Sequence, residues 1–193
     1  MPGATASRPP THQAQPIGTE YAMVIARSME VVMGRSNALV LLAAMAAPAL
    51  AQTTLTSADR SAAFRAAGFT FQAGQWRACG DPGTPTYSPG TIETVRDLNG
   101  DGHPEAVITE GGTYCFGNTG IGYTIVSKQA VGKWRMITAR QGMPDFLRTK
   151  GVGGWPDIEI GGPGFCFPVE RWNGKEYKLY RYQYEGKPCR PQR

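Results

Sequence analysis

The clearest chemistry in this 193-residue chain lies in one short stretch, Asp97-Leu98-Asn99-Gly100-Asp101-Gly102-His103-Pro104-Glu105. Oxygen-bearing side chains stand at its positions 1, 3, 5 and 9. Calcium takes about six to eight hard oxygen ligands at roughly 2.3–2.6 Å, and a tight loop with alternate side chains turned inward supplies them. Asp97, Asn99, Asp101 and Glu105 are therefore the candidate side-chain ligands, with the His103 carbonyl expected at the seventh position. Gly102 permits the sharp bend, and Leu98 is expected to face away as an anchor to the core. Three carboxylates crowded into so short a loop repel one another unless a cation neutralises them. One calcium ion is expected here, and its expected role is structural.

Other chemistries find less support in the residues. His103 is the sole histidine after Ala51 and sits inside the loop, which leaves a Ser-His-Asp triad hard to assemble. No serine stands in a Gly-x-Ser-x-Gly elbow. Carboxylate pairs of the glycosidase kind could be drawn from Glu93, Glu110, Asp145, Asp157, Glu159 and Glu170, but nothing singles out two of them. The four cysteines, Cys79, Cys115, Cys166 and Cys189, lack Cys-x-x-Cys spacing, so disulfides are expected rather than zinc. Three pairings stay open, with Cys79–Cys115 and Cys166–Cys189 favoured. Aromatic and basic residues concentrate in the C-terminal half, among them Trp155, Trp172 and Tyr180 with Lys150, Arg171 and Lys178. Such a mixture suits a glycan or protein partner, and the glycine-flanked Trp155, with Trp172, is the candidate contact.

The elements that must hold the loop are mostly strands. A single helix is expected from Ser57, a good N-cap, to the terminating Gly68, with Phe64 packed on a sheet. Beyond it, strands are expected over 69–72, 75–79, 91–96, 105–109, 122–128, 134–138, 157–160, 165–172 and 177–184, separated by Gly- and Asn-rich turns. The last strand alternates, with Tyr180, Tyr182 and Tyr184 expected on one face. An internal repeat organises this pattern. Gly102-His103-Pro104-Glu105-Ala106-Val107-Ile108 matches Gly154-Trp155-Pro156-Asp157-Ile158-Glu159-Ile160, giving copies over about 97–140 and 149–185.

The loop resembles the calcium site of FG-GAP or VCBS-type repeats, whose pattern is D-x-[DN]-x-DG-x-x-[DE]. The resemblance covers roughly Thr91 to Ile137 and, more loosely, the second copy. It fits an EF-hand less well, because Ile108 stands at position 12 and strands flank the loop. In the second copy Thr149, Gly151 and Gly153 replace Asp97, Asn99 and Asp101, and only Asp157 remains for Glu105. That copy is expected to hold no calcium. Two copies are too few for a full propeller of the kind this family builds. The fold class expected is mainly β, a small antiparallel sheet or sandwich of two degenerate blade-like repeats with one N-terminal helix.

Export is expected from the N-terminal region. Arg35, the apolar run Ala38 to Ala47 and the small residues of Ala49-Leu50-Ala51 read as a signal peptide over 33–51. The apolar run is too short to cross a bilayer core, which needs about twenty residues. Residues 1–32 read as a disordered leader or a misassigned start, and 52–193 as one mature domain. Removing three basic and two acidic residues with the leader lowers the net charge from +5 to +4. The remaining cations are dispersed, unlike the stripe that nucleic-acid binding requires. The function expected is that of a monomeric, non-enzymatic, periplasmic or secreted calcium-binding domain. Its expected partner is a cell-envelope glycan or another exported protein. A calcium-dependent hydrolase using carboxylates and a purely structural accessory module are the alternatives.

Overall fold

A computed structural model describes residues 54–191. The expected leader and signal peptide lie outside the described residues. Helix α1 (Ser57–Ala66) starts one residue earlier than the sequence suggests, because Thr56 rather than Ser57 is the cap; its hydroxyl accepts from the Asp59 N–H at 3.1 Å. Gly68 follows the helix at φ +86°, a backbone region open to glycine. Strands β1 (Thr70–Gln72) and β2 (Gln75–Arg77) form a small hairpin beside it.

The rest of the chain builds two antiparallel meanders. Strands β3 (Ser88–Arg96), β4 (Glu105–Gly111), β5 (Ile121–Lys128) and β6 (Trp134–Gln141) make one four-stranded sheet. A short helix, α2 (Thr113–Phe116), lies in its longest connection. Strands β7 (Met143–Lys150), β8 (Pro156–Gly161), β9 (Phe167–Trp172), β10 (Tyr177–Tyr184) and β11 (Lys187–Pro188) make the second sheet in the same consecutive order. The matched segments Glu105–Ile108 and Asp157–Ile160 lie in β4 and β8 respectively. β7 escapes the sequence pattern: it is an edge strand whose run Met143-Pro144-Asp145 shows no apolar alternation.

Two apolar layers position the loop. Leu98 of the β3–β4 loop with Val107, Tyr123 and Ile125 of the first sheet packs against Ile158, Trp172 and Tyr177 of the second and Trp155 just before β8. On the other face of the first sheet, Ala106, Ile108, Val126 and Trp134 pack under Ala63, Phe64 and Phe69. Covered on both faces, β4 is buried at almost every position, which explains its unbroken Ala106-Val107-Ile108 run. Phe64 is 2 % exposed, and burying a side chain of that size stabilises by about 2–3 kcal/mol.

The sheets stack with equivalent faces pointing the same way. Glu105 lies on the face of β4 that meets the second sheet, whereas its counterpart Asp157 lies on the open face of β8, opposite to Ile158 and Ile160. The register of β10 slips between Leu179 and Arg181, so the expected single tyrosine face is broken: Tyr180 falls in the slip, unpaired and out of step with Tyr182 opposite Pro168. Both favoured disulfides are present, Cys79–Cys115 and Cys166–Cys189, with Cα separations of 6.2 and 5.6 Å. The first ties the segment after β2 to α2, and the second pins the C-terminal segment to the turn before β9. No helix among the described residues is long and apolar enough to cross a membrane.

Candidate metal centre

The loop between β3 and β4 holds its shape through Asp97. Its Oδ1 accepts the Gly100 N–H at 2.7 Å and the Asp101 N–H at 3.2 Å, and its Oδ2 accepts the Gly102 N–H at 2.8 Å. Asn99 Oδ1 accepts from the Asp101 N–H at 2.9 Å, and Asp101 Oδ1 accepts from the His103 N–H at 2.8 Å. Gly100 and Gly102 both sit at φ +85°, which the tight winding requires. Asp97 and Asp101 are thus turned onto backbone amides, and among the described residues no three His, Cys, Asp or Glu side chains converge as a ready metal cage. His103 is half-buried, with its N–H engaged in the loop.

Glu105 differs from the rest of the loop. It is fully buried at the start of β4. One oxygen, Oε2, accepts the Leu98 N–H at 2.7 Å, while Oε1 has no hydrogen-bond partner. Burial pushes this carboxyl up to about 7; the Leu98 N–H and the Ser127 hydroxyl favour the anion, and the charges of Asp101 and Asp97 oppose it. Ser127 is its cross-strand neighbour, yet completes no hydrogen bond to Oε1. Arg96 stands opposite Glu105 in the β3–β4 ladder without pairing with it; its guanidinium lies 5.2 Å from the centre of the Phe146 ring. A buried carboxylate with a free lone pair, beside two further loop carboxylates, is a donor set that fits a hard divalent cation.

The equivalent position in the second copy is solved differently. Asp157 is also fully buried, but Arg171 grips it with Nε at 2.8 Å and Nη2 at 2.7 Å. Arg181 adds an ion pair at 3.6 Å, and the Thr149 hydroxyl donates a further bond. Burial alone would raise this carboxyl; the Arg171 fork, the Thr149 hydroxyl and the Arg171 and Arg181 charges outweigh it and hold Asp157 below the usual carboxylate range. Sequence reasoning expected no calcium in this copy and missed the guanidinium that pairs with its acid. The available signal was the acid itself: a buried carboxylate that has lost its neighbouring ligands needs another positive partner.

The candidate contacts Trp155 and Trp172 are 6 % and 5 % exposed. Their rings lie 5.5 Å apart in the core between the sheets, so the expectation of an exposed tryptophan loop is corrected. The flanking glycines serve packing instead: a Cβ on Gly154 would fall 2.2 Å from the Asn99 carbonyl oxygen, so the turn before Trp155 presses directly on the candidate calcium loop. The other carboxylates are largely engaged. Glu110 accepts from the Ala78 and Cys79 amides and the Tyr87 hydroxyl, and Glu170 pairs with Arg140 across the sheets at 2.9 Å. Glu93 accepts from Thr109, and Glu159 from Gln183. Compared with known protein families, with curated proteins and with solved structures, the chain matches none.

Proposed function

We propose that this chain is an exported, non-enzymatic binding domain whose two sheets are held in place by one calcium ion in the Asp97–Glu105 loop. The observation that carries this reading is the buried Glu105 carboxylate, whose Oε1 has no partner while Asp97 and Asp101 stand close by. Calcium there would neutralise all three acids at the point where Asn99 meets Gly154 of the second copy. It would therefore act on the contact between the copies. Asp97, Asn99, Asp101 and Glu105 would supply side-chain oxygens, with the His103 carbonyl beside them. The paired cysteines suit an oxidising compartment, periplasmic or extracellular. The rival, a carboxylate hydrolase, has less support: Glu93, Glu110, Asp157, Glu159 and Glu170 each hold a hydrogen-bonded partner, and the sixth candidate, Asp145, is exposed on the edge strand β7.

Calorimetric titration tests the reading. Calcium is expected to bind the wild-type protein one-to-one, and to bind Glu105→Gln and Asp97→Ala at least about tenfold more weakly. Wild-type protein that takes up no calcium, or a Glu105→Gln variant that binds it unchanged, overturns the assignment.

A further inference from the structure

The C-terminal sheet carries a groove that the calcium reading does not use. It lies between the end of β7 and the β9–β10 hairpin and has a volume of about 640 Å³, within the roughly 300–1,000 Å³ of small-ligand clefts. Lys150, Arg171 and Lys178 line it, and no carboxylate does. Val152, Leu179 and Tyr180 line it as well, each more than half exposed.

The groove's charge is poorly spent within the protein. Lys178 stands directly opposite Arg171 in the β9–β10 ladder, an arrangement of like charges that costs stability. Arg171 is neutralised from beneath by Asp157. Lys178 reaches only Glu176, at 3.2 Å with both side chains mostly exposed, a weak pair. Lys150 makes no ion pair among the described residues. Tyr180 is fixed by the Arg171 guanidinium, 3.7 Å from its ring centre, with Arg181 at 5.2 Å. The result is an oriented aromatic ring flanked by two available ammonium groups.

We infer that this groove docks an acidic polysaccharide, with a sugar ring packed on Tyr180 and Leu179 and its carboxylates met by Lys150 and Lys178. A uronic-acid chain offers both an apolar ring face and a carboxylate on every residue, whereas an acidic peptide offers charge without the ring. The far wall is the turn Val152–Gly154, which rests on Asn99 of the calcium loop. This inference names the partner of the binding domain proposed above and rests on that reading.

The test is fluorescence anisotropy of the full chain with a dye-labelled short oligogalacturonate, beside a neutral glucose oligomer and polyglutamate of matched charge. Oligogalacturonate is expected to bind, the glucose oligomer not to bind, and polyglutamate to bind at least about tenfold more weakly. The exposed pair Lys150→Gln with Lys178→Gln is expected to weaken oligogalacturonate binding about five- to tenfold without lowering the melting temperature. No binding of oligogalacturonate, equal binding of polyglutamate, or undiminished binding by the double variant overturns the inference. A calcium titration on the same samples separates the two readings. Normal calcium uptake without sugar binding removes only the groove, and sugar binding without calcium uptake removes only the loop assignment.

Discussion

Glu105 and Asp157 occupy matching positions at the start of β4 and β8, both fully buried, yet their surroundings are opposite. Asp157 has a positive charge built in, since Arg171 and Arg181 close over it on the outer face of the second sheet. Glu105 faces the inter-sheet layer with one oxygen unbonded and two loop carboxylates for company. Removing a charged group from water costs several kcal/mol, roughly, unless a counter-charge goes with it. One copy meets that requirement with a guanidinium; in the other, burial shifts the carboxyl up to about 7, and under the proposed reading a cation would supply the counter-charge. Helix α1 and the β1–β2 hairpin cover the outer face of the first sheet, and the Asp157–Arg171–Arg181 network lies on the outer face of the second.

The comparison can be broken most forcibly at Arg171. Arg171→Ala strands the buried Asp157 carboxylate, and an expected loss of about 2–4 kcal/mol, discounted for the part-exposed arginine, should appear in chemical denaturation. Calcium should not restore it. A loss no larger than that of Lys178→Ala would show that Asp157 does not need its guanidinium.

The two acids should also respond to amidation with opposite signs. A carboxyl held near 7 binds protons more readily folded than unfolded, so ionised Glu105 costs the metal-free protein stability as pH rises from about 4.5 to 7, of order 3 kcal/mol at the plateau. Glu105→Gln should therefore stabilise the metal-free protein at pH 8 and flatten that pH slope. Asp157, held below its ordinary range, contributes stability that is present at neutral pH and lost as pH falls through and below the usual carboxylate range. Asp157→Asn should destabilise at pH 8, with the deficit shrinking in acid. Denaturation curves of both variants across pH check the pair of signs.

The smallest effect lies where the copies touch. Gly154→Ala places a methyl on the Asn99 carbonyl at a backbone φ of +78°. A cost of about 1–3 kcal/mol and weaker calcium uptake are expected. Gly164→Ala, at φ +102° with open space around it, should incur the backbone cost alone.

Much of this was legible in the residue pattern, for identifiable reasons. The Gly102–Ile108 and Gly154–Ile160 match falls on β4 and β8, which share a buried acid near their start but differ beyond it: β4 runs apolar through Ala106-Val107-Ile108, and β8 alternates Ile158-Glu159-Ile160. Asp97, Asn99 and Asp101, expected as calcium ligands, each accept backbone N–H groups of their own loop, a use that alternate spacing along the chain also permits. What escaped depended on partners distant in sequence. Arg171 meets Asp157 only through the β8–β9 pairing, and Trp155 is buried because the second sheet stacks on Leu98 and Tyr123. The edge strand β7 carried no alternation to betray it. The outward turn of Tyr180 follows from a register slip that regular two-residue periodicity could not foretell.

The central claim, that Glu105 awaits a cation which Asp157 does not need, is tested most directly by thermal melting of metal-free wild type and Glu105→Gln at pH 8, with and without calcium. The account predicts that metal-free Glu105→Gln melts above metal-free wild type. It also predicts that calcium at about a hundred times its dissociation constant raises the wild type by the equivalent of roughly 2.7 kcal/mol and leaves the variant unmoved. Wild type that ignores calcium, or a metal-free Glu105→Gln that melts below it, would contradict the account.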